Sequence, residues 1–456
     1  MKEIVALAPT GMLGSGYLPE SFRLAMERKP HFIGQDSGTM DSGPNKLGTG
    51  TPLFSRAAYK RDIEIMLRGA RRAGIPLLIG SCGGSGSDIG LAFVRDIVEE
   101  VAREHRLHFK MALIHAEQQK GYLTEKFRAG RIKPLWPERP FTQAMIDRAE
   151  HIVGMMGAEP FMAALDRGAE VVLAGRSSDT SMFAAYFLRE GIDPGIAWHT
   201  AKILECGAAA VVQRRNPDCM LGFVREDHFI IEPSNPELRC SPQSVASHTL
   251  YENGDPFHLV EPAGTLDTEF TTYEAVNDRA VKVSGSRFVP AKPYTVKLEA
   301  SEKVGYQSVL IGGVRDPFIL RQLDTWLSTL KERVAERIHN VYAGEVRPED
   351  YTFNVIVYGR DGVMGPLEPN RTVGHEVGLV FEVTAQTQQR ATDICKSVSH
   401  LAAHHPVKEW SGLITGVAFP YALAPLERGL VCRFTMNHVV EVDDPLEMFP
   451  IEYVQV

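Results

Sequence analysis

The sequence has little that would tie it to a membrane, an oxidising compartment or a nucleic acid. No apolar run in its 456 residues approaches the roughly eighteen residues of a membrane span, and the opening MKEIVALAPTGMLGSG holds too short an apolar run for a signal peptide. Its six cysteines (Cys82, Cys206, Cys219, Cys240, Cys395, Cys432) include no C-x-x-C and no zinc-like Cys/His spacing, so a disulfide framework is not expected and the thiols read as reduced, in the cytoplasm. Basic residues form no long runs and the formal charge is −8, which leaves no electrostatic footprint for nucleic acid. Repeats, heptad arrays and low-complexity tracts are also missing. What remains is globular material of 44% hydrophobic and 23% charged residues, enough for two or three domains with their own cores.

Up to about residue 215 short apolar runs (EIVALA, HFIGQD, IPLLIG, FKMALIHA, EVVLAG) alternate with helical patterns. Continuous apolar strands separated by helices predict an α/β domain over 1–215, a parallel sheet with helices on both faces. From 216 the pattern turns to alternation, as in CMLGFVREDHFIIEP and RAVKVSGSRFVPAKPYTVKLEAS, which predicts an α+β domain over 216–456 with antiparallel strands. Its last part, about 303–442, reads β-α-β-β-α-β, the ferredoxin-like order. The stretch SGTMDSGPNKLGTGTP (37–52) is the one long loop expected in the first half.

In a parallel sheet the turns after each strand gather on one edge, where ligands bind. Three such turns stand out. After the first strand come Thr10, Gly11, Gly14 and Gly16, whose amides could face an anion, and Asp36 follows about twenty residues past Gly16 at the end of the second strand. The order G-x-x-G-x-G departs from the dinucleotide fingerprint, so no cofactor is read from it. In IGSCGGSGSD, Ser81, Cys82 and Gly83 follow a buried strand, with Cys82 set between Gly80 and Gly84 like an elbow nucleophile; a buried core thiol is the alternative. In VVLAGRSSDTSMFAA, Arg176 stands at a strand end, followed by Ser177, Ser178 and Asp179. Its guanidinium suits a bidentate grip on a carboxylate, or an internal ion pair with Asp179 or another acid.

Other polar residues are weighed against structural roles. His115 and Glu117 end a strand on the same rim, Glu205 and Cys206 close a helix, and Lys297 and Glu299 read as exposed strand charges. His228 and Glu232 share a strand face but lie roughly 13 Å apart by strand rise, too far for joint metal binding, so no metal is expected. His248 and Glu252, at i and i+4, could pair for proton transfer or form a surface pair.

Several long segments (IGQDSGTMDSGPNKLGTG, LLIGSCGGSGSD, LAGRSSDTSMFAA, KILECGAAA, DHFIIEPSNPELRCSPQSVASHTLYENGDP and the stretch from DRAVKVSGSRFVP to YQSVLIGGVRDP) together resemble the acyclic terpene utilisation AtuA family, closely over residues 1 to about 320. The resemblance implies work in the breakdown of branched terpenes through CoA thioesters. It also implies a small partner subunit, because long members carry a C-terminal segment that this chain, ending MFPIEYVQV, does not show. Where that family often has a small residue followed by Cys, this chain reads Ser177-Ser178, which speaks against a nucleophile there. The expectation is a cytoplasmic homo-oligomeric enzyme, a lyase or isomerase without cofactor, acting on a branched hydroxy-carboxylic acid or its acyl-CoA ester by hydration, dehydration or double-bond isomerisation. Cys82, Asp179, His228 or His248 would move protons, and Thr10, Gly11, Asp36, Ser81, Gly83, Arg176, Ser177 and Ser178 would hold the substrate. A cysteine hydrolase built on Cys82 and a non-catalytic assembly subunit are the alternatives.

Overall fold

The first apolar run, IVALA, is buried along its whole length because helices cover both faces of the strand it forms. Ile4, Ala6 and Ala8 enter one layer of core while Val5 and Leu7 enter the other. The computed structural model describes residues 3–40, 42–409, 415–421 and 424–456. Among these, ten strands share the sheet that IVALA begins: β1 (Ile4–Ala8), β2 (Phe32–Asp36), β3 (Leu77–Gly80), β4 (Lys110–Ile114), β5 (Val171–Ala174), β6 (Met220–Val224), β7 (His228–Pro233), β8 (Thr272–Ala275), β9 (Val281–Ser284) and β10 (Ile451–Gln455). Their order is β8-β9-β7-β6-β1-β2-β3-β5-β4-β10. The five strands β1, β2, β3, β5 and β4 run parallel, and the flanking strands pair antiparallel.

Helices Arg56–Ala73 and Asp88–His105 cover one face, burying Ile63, Met66, Val94 and Ile97. Helices Ser181–Arg189 and Pro194–Leu204 cover the other, burying Phe183, Ile196 and Trp198. Their ends follow local chemistry: Ser55 and Ser87 accept the amides of Ala58 and Gly90 as N-caps, and Gly74 ends its helix in the left-handed conformation. Among the described residues no helix is long and apolar enough to cross a membrane.

The antiparallel pairing expected after residue 216 is present, but β6 to β9 continue the sheet that β1 begins. Without the β6–β7 pair, β1 would expose a long apolar edge. One compact unit therefore comprises Met1–Glu302 with Phe434–Val456, and a second comprises Lys303–Arg433. The first unit also holds a small antiparallel sheet of His258–Glu261, Gly264–Asp267 and Arg287–Pro290, and Trp198 stacks on its Phe288 at 5.7 Å between ring centroids. Residues 297–302 of the strand Tyr294–Val314 pair antiparallel with Ala149–Met155. In the second unit, helices Leu323–Val341 and Gln388–Ala403 bury Trp326, Leu330, Ile394 and Val398 with Phe381. The strand order there is Tyr351–Tyr358, Val377–Ala385, the part of Tyr294–Val314 from residue 303 on, and the part of Leu426–Val442 up to residue 433. The loop expected over 37–52 contains a short helix, Asn45–Thr49, and its Asp41 lies outside the described residues.

The turn after β3 is wedged against the turn after β5. Gly86 takes φ +65°, its carbonyl accepts the Arg176 amide at 3.0 Å, and a Cβ on it would collide with the Arg176 backbone. Gly74, also at positive φ, has open space where a Cβ would go. Gly74→Ala is therefore expected to cost about 1–2 kcal/mol through backbone strain alone. Gly86→Ala adds overlap to strain and should cost roughly 3 kcal/mol or more. Urea midpoints of the two variants check this, and equal losses would contradict it.

Candidate functional site

Gly175 hands the chain from β5 to Arg176, and the guanidinium turns across the carboxyl edge of the sheet, 6% exposed. Its Nε donates to Glu299 at 2.8 Å, and its Nη1 donates to the Ser81 hydroxyl (3.2 Å), the Ser177 carbonyl (3.1 Å) and Asp179 (3.1 Å). Lys297 donates to the other oxygen of Glu299 at 3.1 Å. Burial alone would raise the Glu299 carboxyl, but Arg176 and Lys297 hold it down to about 2. An open two-handed grip on substrate is therefore not what Arg176 offers. Its Nε and Nη1 serve protein acids and oxygens, and among the described residues only Nη2 has no protein partner. Lys297 and Glu299 are likewise not simple surface charges, since Glu299 is buried.

Two cavities of about 610 and 620 Å³ adjoin this cluster. Arg176, Asp179, Glu205, Glu252 and Lys297 line both. The first adds Ser178, Thr180, Lys202 and Glu261 with an apolar rim that includes Trp136 and Val260. The second adds Gly11, Asp36, Gly38, Cys206, Arg214 and Tyr251.

Three buried carboxyls here are pushed toward the neutral form. Glu261 is raised to about 7, mainly by burial; Thr180 and Ser178 oppose the rise and Asp179 adds to it. Thr180 donates to its Oε1 at 2.5 Å, while Oε2 has no partner. Glu205 is raised by burial, with Lys202 opposing and Asp179 and Glu261 adding; the Lys202 ammonium lies 2.6 Å from its Oε1. Asp36 is raised by burial and by Asp179, its Oδ2 accepts the Gly38 amide at 3.1 Å, and its Oδ1 has no partner. The site thus contains carboxylic acids able to give a proton near neutral pH beside carboxylates tied to cations. Among the described residues no three His, Cys, Asp or Glu side chains are arranged to hold a metal ion.

The expected substrate-holding residues divide. Gly11, Asp36, Arg176 and Ser178 line the cavities, whereas Ser81 and Ser177 support Arg176 from behind. Gly11 has no room for a side chain because the Cys206 carbonyl lies against it. Thr10 is buried, with its amide on the Gln35 side chain, and Gly83 serves close packing against Gly90. The amides of Gly14 and Gly16, expected to face an anion, both donate to Asp62.

The expected proton-movers divide further. Asp179 lines both cavities. Cys82 does not: its thiol lies in apolar core with its Sγ toward the Ile79 carbonyl, and burial raises its pKa, so an activated thiolate is not what this turn holds. The non-glycine residue of that turn at positive φ is Ser81, at φ +47°. His228 sits at the opposite edge of the sheet: β1 pairs Ile4 with Val224 and Ala8 with Met220, and Val224 pairs with Phe229, which puts His228 beside the amino end of β1. His248 is buried, stacked on Tyr251, and pushed down to about 3 by burial and the Lys202 charge; its Nε2 has no partner.

Reading the sequence missed the roles of Lys202, Glu205 and Glu261. A charged pair at i and i+3 inside the apolar run GIAWHTAKILECGAAA was the available signal for the first two, because every residue of helix Pro194–Leu204 from Gly195 onward is buried. Glu261, in HLVEPAGTLD, carries no comparable mark.

The family model described as acyclic terpene utilisation family protein AtuA matches residues 52–211 and 227–423, well over half of the chain. No curated protein and no solved structure matches it.

Raised carboxyls set a sign for stability. Glu261 binds its proton more tightly folded than unfolded, so the stabilisation is complete below about pH 4.3 and is lost as the pH rises through about 7. Glu299 has the opposite sense: its contribution is present above about pH 4.3 and disappears as the pH falls toward 2. The urea midpoint of Glu261→Gln should fall less between pH 5 and 8 than that of the unaltered protein, and parallel profiles would show that Glu261 does not titrate there.

Proposed function

Because the chain belongs to the acyclic terpene utilisation AtuA family, we propose that it is a catabolic enzyme that adds or removes water, or shifts a double bond, in a branched hydroxy-carboxylic acid or its CoA thioester. The observation that carries this reading is the juxtaposition of Glu261, a buried acid with one oxygen unpartnered, and Asp179 on the walls of one cavity. Such reactions need an acid, a base and stabilisation of enolate-like charge, and no redox partner.

In the dehydration direction, Asp179 takes a proton from the carbon next to the acyl carbonyl. The electron pair of that C–H bond forms the double bond, the C–O bond to the β-hydroxyl breaks, and Glu261 gives its proton to the departing oxygen, which leaves as water. Negative charge growing on the acyl oxygen is met by the Arg176 Nη2, the group that the protein leaves unpartnered among the described residues. Exchange with water returns the proton to Glu261. For isomerisation the same proton is removed from one carbon and returned to another. The run from Ser178 to Thr180 (2.9 Å) to Glu261 keeps that acid oriented. For the second unit we propose the ferredoxin-like fold, supported by its strand–helix–strand–strand–helix–strand succession and its strand order.

The test is exchange rather than product alone. Branched β-hydroxy and unsaturated acids, free and as CoA thioesters, are incubated with the protein in heavy water and followed by NMR. Deuterium should enter beside the carbonyl of at least one of them. Glu261→Gln should lower the rate about 10²–10⁴-fold and remove the limb of the pH–rate profile near 7. Cys82→Ala should keep the rate. Absence of exchange on every compound, or a fully active Glu261→Gln protein, overturns the reading.

A further inference from the structure

The cations of this site are not equal. Arg176 is bonded to Glu299 and Asp179, Lys297 to Glu299, and Lys202 to Glu205. Arg214 lines the second cavity too, yet it makes no ion pair or side-chain hydrogen bond among the described residues. Its charge is nonetheless felt inside, since it helps to hold the buried His248 neutral. A cavity wall whose other cations are each bonded to a protein carboxylate leaves this guanidinium for an anion brought from outside.

The first cavity ends differently. Trp136 is 88% exposed and Val260 is 72% exposed, and both stand on its rim although they come from segments far apart in the chain. Single exposed apolar residues need no explanation, but two large ones converging on one opening with Leu259 and Val439 form an apolar mouth. Asp179 belongs to the wall shared by both cavities, and Glu261 lines the first.

We propose that the ligand spans both cavities, its anionic end held by Arg214 and its apolar end lying against Trp136 and Val260, so that its middle passes the shared wall. The ligand class is an anion bearing an apolar chain of several carbons, entered lengthwise. This orientation rests on the reading of the site as an active site, and it assigns Arg214 as the residue that selects for the anion. The anionic group is a carboxylate or the phosphates of a CoA moiety, which present the same charge-assisted acceptors to a guanidinium.

The test measures binding without turnover, by calorimetry with butanoate, octanoate, octanoyl-CoA and CoA alone. The unaltered protein should bind octanoate more tightly than butanoate. Val260→Ser and Trp136→Ser, both changes of exposed side chains, should flatten that difference. Arg214→Gln should weaken octanoate by about tenfold or more and reduce the salt dependence of binding, with Arg214→Lys recovering part of the loss and the chain-length preference kept. If the anion is the CoA phosphate, Arg214→Gln weakens octanoyl-CoA and CoA while leaving octanoate unchanged, which also supports the role of Arg214. Equal affinity for the two chain lengths, no binding by any probe, or full affinity of Arg214→Gln for every probe overturns the proposal. Binding as described with no exchange chemistry would sink the catalytic reading alone, whereas exchange insensitive to Arg214→Gln and Val260→Ser would sink this orientation alone.

Discussion

The buried guanidinium of Arg176 is the constraint on which the site depends. Removing a cation from water costs several kcal/mol, and only close counter-charges and well-placed acceptors offset that. Glu299 supplies the charge at Nε, while Asp179, the Ser81 hydroxyl and the Ser177 carbonyl all accept from Nη1. The same demand accounts for the left-handed Ser81, whose hydroxyl receives both the Arg176 Nη1 and the Ser177 amide. Strain of that kind persists where the surroundings over-determine it.

Once Glu299 and Asp179 have matched the charges of Arg176 and Lys297, the next carboxyls in the cluster meet a nearly balanced field, and burial decides their state. Asp36, Glu205 and Glu261 are each raised chiefly for that reason. Environment thus sorts chemically similar groups into carboxylates that hold the scaffold and acids that hold protons, the division that acid–base chemistry at neutral pH requires.

The parallel half of the sheet, the helices over it and the edge where its turns converge were legible because they are periodic. Buried parallel strands read as apolar runs, and the residues after them fall on one side by topology. The pairing of β6 with β1 was not legible, since alternation shows that a strand is antiparallel but not which neighbour it takes. At the site, Arg176, Asp36 and Asp179 could be found from their place after strands. Glu261 could not, because it comes from the small sheet of residues 258–290 and reaches the cavity only through tertiary placement. His228 misled for the matching reason: its composition suits catalysis, but register carries it to the far edge. Cys82 sits in the expected turn, yet its side chain points into the core, which a residue pattern at a strand tip does not reveal.

The small sheet bears on how the acids are spaced. Glu261 belongs to its strand His258–Glu261, and the same sheet is locked onto helix Pro194–Leu204 by the Trp198–Phe288 stack, by the close approach of Gly195 to the Ser286 carbonyl, and by the His199 contact with Ser286 at 2.6 Å. Lys202 and Glu205 ride at the end of that helix. Glu205 and Glu261 are therefore mounted on one rigid piece, while Arg176 and Asp179 are mounted on the turn of the large sheet. Any breathing of the cavities would alter the gap between these two mountings and leave the separation of Glu205 and Glu261 unchanged.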